Sequence, residues 1–204
     1  MIAIIDYGIG NLCSIKNMLK NIGVEDVIFA KSEEEIINAD KYILPGVGAF
    51  DTGMKMLNES GMRKQLDIQV IEKKKPILGI CLGMQMLGRR SEEGSSLGLG
   101  YIPFDCKKFE LQKDNLRVPH MGWDYVDIVK KIPIVSCPKD ELRFYFVHSY
   151  YAVCDNNDDV LMTCDYGISF AAAVQKDNIY GMQFHPEKSH GFGKWILKNY
   201  IEEV

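Results

Sequence analysis

Pro76-Ile77-Leu78-Gly79-Ile80-Cys81-Leu82-Gly83-Met84-Gln85-Met86-Leu87 is the stretch on which the reading of this chain turns. A short apolar run behind a proline reads as a buried strand, and the residues from Met84 onward leave as a helix. Between them stands Gly79-Ile80-Cys81-Leu82-Gly83, the G-x-S-x-G nucleophile-elbow pattern with Cys in place of Ser. A strand-to-helix turn this sharp strains its central residue, and side chains two positions away would collide, so glycines flank it. Such a turn exposes the sulfur at the C-terminal edge of a sheet, where open α/β folds bind ligands. It sets Cys81 at a helix N-terminus, which favours thiolate, and aims the amide of Leu82 at a developing oxyanion. Taken alone, the motif is read equally well as a buried cysteine in a glycine-containing turn.

Outward from the elbow, the first half alternates strand and helix patterns. Residues 2–5 form an apolar run, then Leu12, Ile15, Leu19 and Ile22 recur at helical spacing with Gly23 as a stop. Residues 27–30 read as a second strand, and Ser32-Glu33-Glu34-Glu35 has capping-box form. A third strand at 42–44 breaks at Pro45-Gly46-Val47-Gly48-Ala49-Phe50, and a helical stretch runs from about 62 to 74. The triplet Lys73-Lys74-Lys75 suits a helix C-terminus, where positive charge meets the dipole. In the second half strand-like segments dominate, at 106–111, 125–129, 143–153, 160–164, 170–174 and 179–184. A final helix places Phe192, Trp195, Ile196, Asn199 and Tyr200 on one face. The pattern predicts a single α/β domain over 1–204, with a mostly parallel central sheet flanked by helices and antiparallel additions in the C-terminal half.

Composition narrows the function. The 204 residues are 47% hydrophobic and 25% charged, which excludes disorder and coiled coil. A formal charge of −4 argues against nucleic acid or an anionic membrane as partner. No apolar stretch approaches the roughly 18 residues of a membrane span, and the N-terminus lacks the basic start of a signal peptide. A cytoplasmic protein with free thiols is the expectation, and of six cysteines only Cys81 has a reactive context. Cys13, Cys106, Cys137, Cys154 and Cys164 read as structural.

A thiolate nucleophile needs an imidazole, and the imidazole an orienting acceptor. His185-Pro186-Glu187 follows an apolar strand and puts a carboxylate two positions from a histidine across a rigid residue. His120, His148 and His190 compete without that feature. A metal held by His185, Glu187 and His190 lacks any supporting ligand spacing, so neither metal nor cofactor is expected. Amides of the loop at Val47 and Gly48 can bind phosphate or complete an oxyanion hole. Gly8-Ile9-Gly10 hints at a dinucleotide fingerprint, but Cys13 holds the third glycine position.

Glycine loop, Cys elbow and His-Pro-Glu, in that order, resemble the class I glutamine amidotransferases. Asp6–Leu12, Pro45–Phe50, Gly79–Gln85, Ser91-Glu92-Glu93-Gly94, Pro119–Trp123, Phe146–Tyr150 and His185–Ser189 resemble, within that family, the glutaminase subunits of imidazole glycerol phosphate synthases. The resemblance spans essentially the whole chain. It implies a flavodoxin-like fold and hydrolysis of L-glutamine through a Cys81–His185–Glu187 triad and a glutamyl thioester. The oxyanion would rest on amides of Val47, Gly48 and Leu82, and the substrate on Gly46, Gln85, Glu93, Ser149 and Tyr150. Ammonia would pass into a (β/α)8-barrel cyclase subunit, for histidine biosynthesis, across a contact including Asn11, Tyr145 and Lys188. Leu87-Gly88-Arg89-Arg90 and Tyr101–Cys106 depart from the family's usual run. They leave open a paralogous subunit feeding an amidotransferase that acts on a surface-polysaccharide nucleotide sugar.

Overall fold

Strand β1 (Ile2–Ile5) shows how the sheet is assembled. Successive side chains of a strand point to opposite faces, and here all four residues are buried. Ile2 and Ile4 enter one apolar core with Ile43, Leu78 and Ile80; Ala3 and Ile5 enter another with Tyr42, Leu44 and Ile77. A sheet with two dry faces requires helices on both, the usual state of parallel strands. The computed structural model describes residues 1–110, 116–136 and 141–204. Leu111, at the end of an expected strand, and Cys137 lie outside them.

The elements run β1, α1 (Leu12–Asn21), β2 (Val27–Ala30), α2 (Glu33–Asn38), β3 (Lys41–Gly46), α3 (Phe50–Glu59) and α4 (Arg63–Leu66), which continues as a π-helical segment over Asp67–Glu72. Then come β4 (Ile77–Cys81), α5 (Leu82–Leu87), β5 (Arg90–Ser91), β6 (Phe104–Lys108), β7 (His120–Ile128), β8 (Leu142–His148) and β9 (Tyr150–Cys154). β10 (Val160–Asp165), β11 (Ser169–Lys176), β12 (Ile179–Met182) and α6 (His190–Glu203) complete the chain. The sheet is ordered β2-β1-β3-β4-β12-β11-β10-β7-β8, with β9, β6 and β5 branching from β11. From β2 to β12 the pairs are parallel. From β12 to β8 they are antiparallel. Helices α1 and α6 cover the first core through Ile15, Leu19, Ile196, Leu197 and Tyr200; α2 to α5 cover the second through Ile36, Met54, Leu57, Leu66 and Met86.

Local signals hold where they are strongest. Gly23, at φ +89°, ends α1 in a Schellman motif: Val24 N donates to Leu19 O at 3.0 Å and Gly23 N to Lys20 O at 3.0 Å. Ser32 and Glu35 form the capping box of α2. The lysine triplet does cap a helix, though by a longer reach than sequence proximity suggests. Lys75 Nζ donates to the carbonyls of Ile37 at 2.9 Å and Ala39 at 2.7 Å, at the C-terminus of α2.

Other elements depart from the expectation. Helix α3 is not marked in the sequence, although Phe50, Gly53, Met54 and Leu57 form its buried stripe. Gly53 weakens that stripe in the sequence, yet a Cβ there would stand 3.0 Å from both Leu82 Cδ2 and Met86 Sδ, so the glycine lets α3 approach α5. The segment 143–153 is two strands, because the chain leaves β7 at Ser149 and β9 pairs with β6 and β11 instead. β7 starts five residues before the expected 125, since Gly122 (φ +133°) interrupts the alternation without ending the ladder. Cys106 and Cys164 are buried, as packing residues should be, but Cys13 is exposed on α1 and is not part of a core.

Candidate active site

The parallel register brings the site together before any side chain is considered. Gly46 of β3 stands opposite Cys81 of β4, and Met182 of β12 opposite Ile80. Three segments therefore leave the sheet at one edge: the glycine loop after β3, the elbow after β4 and the His185 segment after β12. Cys81 has φ +55° and ψ −112°, the strained conformation expected of an elbow, which costs on the order of 1–3 kcal/mol. The flanking glycines allow it. A Cβ on Gly83 would lie 1.8 Å from Leu44 O, and one on Gly46 would lie 2.7 Å from Gly83 N.

His185 is buried, and its Nδ1 is 2.8 Å from Glu187 Oε1. Glu187, whose side chain is 1% exposed, fixes the tautomer so that Nε2 is left for the thiol. Nε2 is buried without a hydrogen-bond partner, with Cys81 beside it in the same cavity. Burial pulls the His185 pKa down, but the Cys81 sulfur nearby and the bonded Glu187 carboxylate outweigh it and lift the value to about 9. The segment is anchored to β8: His185 N donates to Tyr145 O at 2.9 Å, Ser189 Oγ to His185 O at 2.6 Å, and Tyr145 N to Ser189 Oγ at 3.0 Å. Sequence reasoning gave Ser189 no role, although it stands four residues after the histidine.

A cavity of about 490 Å³ opens over Cys81. It is lined by Val47, Gly48, Leu82, Gln85, Glu93 and His185 together with Val147, His148, Ser149, Tyr150 and Lys188. Most residues expected in the site thus meet in one space, though Glu187, bonded to His185, is not among those lining it. Gly46 stays behind, packed on the elbow. Glu93 has a second duty, since its Oε2 accepts from Phe50 N at 2.8 Å and caps α3. Asp51 returns the contact, accepting from the amides of Ser95 at 3.1 Å and Ser96 at 2.9 Å, so the glycine loop and the 91–96 loop hold each other. Gly8-Ile9-Gly10 serves this scaffold too: Tyr7 Oη donates to Pro45 O at 2.7 Å, and a Cβ on Gly10 would meet Pro45 Cβ at 3.0 Å.

The chain matches the family model described as "Glutamine amidotransferase class-I" over residues 3–204. It belongs to the class I glutamine amidotransferases. "Imidazole glycerol phosphate synthase subunit HisH 2" of Pseudomonas aeruginosa is 52% identical to it over 204 residues, covering 100% of both chains. The protein of the same name from Methanococcus maripaludis is 50% identical, again over 100% of both. "Imidazole glycerol phosphate synthase subunit HisH" of Leptospira interrogans is 46% identical over 98% of each. Among solved structures, one described as a glutamine amidotransferase superposes with a TM-score of 0.76 at 16% identity, covering 98% of this chain and 97% of that one. PurLQS from Thermotoga maritima gives 0.72 at 17%, covering 98% and 96%. At those identities the superpositions speak for the fold, which is that of this amidotransferase family.

The competing histidines are accounted for within this amidotransferase. His190 is exposed and stacks on Trp123 with ring centroids 5.5 Å apart. His148 Nδ1 is 2.8 Å from Tyr150 O; a carbonyl only accepts, so Nδ1 carries the hydrogen and Nε2 is an acceptor. His120 Nδ1, 3.1 Å from that Nε2, must then donate to it. Burial drives the His148 pKa down to about 3, and burial likewise lowers that of His120 against the pull of Asp124. Asn11 precedes α1, which packs on the turn at Pro186–Lys188, and Lys188 Nζ sits 5.4 Å from the Tyr145 ring centroid. No helix among the described residues is long and apolar enough to cross a membrane.

Proposed function

We propose that this chain is the glutaminase subunit of an imidazole glycerol phosphate synthase. It would hydrolyse L-glutamine to glutamate and hand the ammonia to a (β/α)8-barrel cyclase subunit. The observation that carries the reading is the buried His185–Glu187 pair, 2.8 Å apart, set beside a strained Cys81 in one cavity. Full-length relatives at 46–52% identity whose names carry this activity support it.

The Cys81 thiolate attacks the side-chain amide carbon of glutamine. The carbonyl oxygen takes up the negative charge and is met by the Leu82 amide and amides of the Val47-Gly48 turn. With its pKa near 9, His185 holds a proton at neutral pH, and it passes that proton to the departing nitrogen as the C–N bond breaks. Ammonia leaves and a glutamyl thioester remains. His185, now neutral, takes a proton from water; the hydroxide adds to the thioester, glutamate departs, and the thiolate–imidazolium pair is restored. Gln85 and Glu93 stand where they can hold the α-amino end, and the backbone at Ser149 and Tyr150 where it can position the α-carboxylate. Asn11, Tyr145 and Lys188, together at the sheet edge that carries the cavity, form the docking contact in this reading. Delivery without contact with water keeps the ammonia unprotonated and nucleophilic.

The experiment pairs the chain with a barrel cyclase and supplies glutamine as the sole nitrogen donor. Imidazole glycerol phosphate should form, and glutamate should appear slowly without the cyclase and fast with it. Ammonia delivered only to a nucleotide-sugar amidotransferase would replace the histidine assignment by the sugar one. Fast glutamate release by the chain alone would remove the need for a partner.

A further inference from the structure

Gln183 sits two residues before His185 with no exposed surface, a primary amide between the apolar side chains of Met182 and Phe184. A buried amide is costly unless each of its groups is paired, so its bonds must be traced. Gln85 Nε2 donates to Tyr150 O at 3.2 Å, and the same nitrogen donates to Gln183 Oε1 at 3.0 Å. The Tyr150 carbonyl can only accept, which settles which end of the Gln85 amide faces it. That nitrogen presents hydrogen to Gln183, which settles the second amide as well. Flipping either one would set two acceptors or two donors face to face. The free end of Gln183 is therefore Nε2, and it lies 3.8 Å from Cys81 Sγ.

We propose that Gln183 positions the nucleophile, its side-chain N–H donating to the Cys81 sulfur and stabilising the thiolate, with Gln85 locking the amide in that orientation. The sulfur also faces Val147 O, 3.9 Å away, an acceptor that favours the neutral thiol. Without Gln183 the sulfur keeps that carbonyl and has His185 as its remaining donor. A donor aimed at an ionised group lowers the cost of ionising it, by more in a buried setting than in water. The chain of bonds also ties the sulfur to Tyr150, whose carbonyl accepts from His148 Nδ1 at 2.8 Å in the cavity lining.

The inference deepens the proposed function and rests on Cys81 being its nucleophile, so the test reads the thiol itself. Alkylation of Cys81 by iodoacetamide is followed peptide by peptide across pH in the full chain, with exposed Cys13 as internal reference. In Gln183→Met the Cys81 midpoint moves up by about one pH unit, slowing labelling about tenfold below it, while Cys13 is unchanged. Gln183→Leu gives the same displacement, and whichever variant keeps the parent circular dichroism is the one read. In the complex with the cyclase, kcat falls by a similar factor and KM stays close to that of the parent. An unmoved Cys81 midpoint in a folded variant overturns the role of Gln183, even if activity drops. A parent protein without glutaminase activity in the presence of its partner counts against the proposed function and leaves the alkylation shift intact.

Discussion

Two buried imidazoles in this protein titrate in opposite directions. At the end of β12, His185 is lifted to about 9; on the β7–β8 pair, His148 is pressed down to about 3. Both are desolvated, and in both burial works against the charged form. The difference lies in their partners. His185 has a carboxylate bonded to one nitrogen and the Cys81 sulfur nearby, groups that gain from its positive charge. His148 meets a carbonyl and a second imidazole, and the nearby His185 and His120 raise the cost of charging it further. Burial sets how much a charge costs, while the neighbours decide whether it forms. In one region a protonated imidazole faces a carboxylate, and in the other a neutral His148 lines the cavity.

The comparison can be broken most severely at the sulfur. Cys81→Ala should reduce glutaminase turnover by roughly 10⁴-fold or more, since nothing else in the cavity can form the thioester; a coupled glutamate assay in the presence of the cyclase reads it. Comparable turnover in that variant would end the covalent mechanism. Gly83→Ala tests the backbone beneath the same site. Its Cβ would stand 1.8 Å from Leu44 O, and destabilisation of about 3 kcal/mol or more in urea unfolding is the expected outcome. A loss below about 1 kcal/mol would mean that the elbow can relax.

Glu187→Gln removes one of the two groups, with Cys81, that hold the His185 pKa above that of His148. Turnover should fall by roughly 10²-fold, and the His185 pKa should drop from about 9 toward its ordinary value. Because His185 acts as acid while protonated, the alkaline limb of the pH–rate profile then moves to lower pH. A limb that stays in place would assign the raised pKa to Cys81 alone. His148→Asn should act on stability instead. The unfolded chain binds a proton at His148 below about pH 6.5, whereas the folded chain resists it down to about 3. Stability is therefore lost as the pH falls through that interval, by an amount on the order of 2 kcal/mol near pH 4.5. The variant should show a flatter acid limb, read from urea midpoints at pH 7 and 4.5. An acid limb as steep as the parent's would assign the acid sensitivity to other groups.

Legibility in the sequence follows the range of the interaction. Cys81, His185 and Glu187 stand in compact local patterns, a glycine-flanked turn and a carboxylate two residues from a histidine. Both patterns close within a few residues. Gly23 and the Ser32–Glu35 box are readable for the same reason. Helix α3 is less so, because Gly53 satisfies a contact with α5 that only packing supplies. Gln183 reads as one polar residue in an apolar run, and its partners Gln85 and Cys81 lie 98 and 102 residues away. His148 looks like a rival to His185 until its bond to Tyr150 O fixes the tautomer.

By itself the sequence determined the alternation of strands and helices, the elbow turn at Cys81, and which residues are proposed as its triad. Each depends on steric and periodic rules acting along a few consecutive residues. Only the tertiary structure decided which histidine is charged, what holds the sulfur, and that Glu93 caps α3 while lining the cavity. Those outcomes depend on desolvation and on donors and acceptors brought together from distant parts of the chain, which no local pattern encodes.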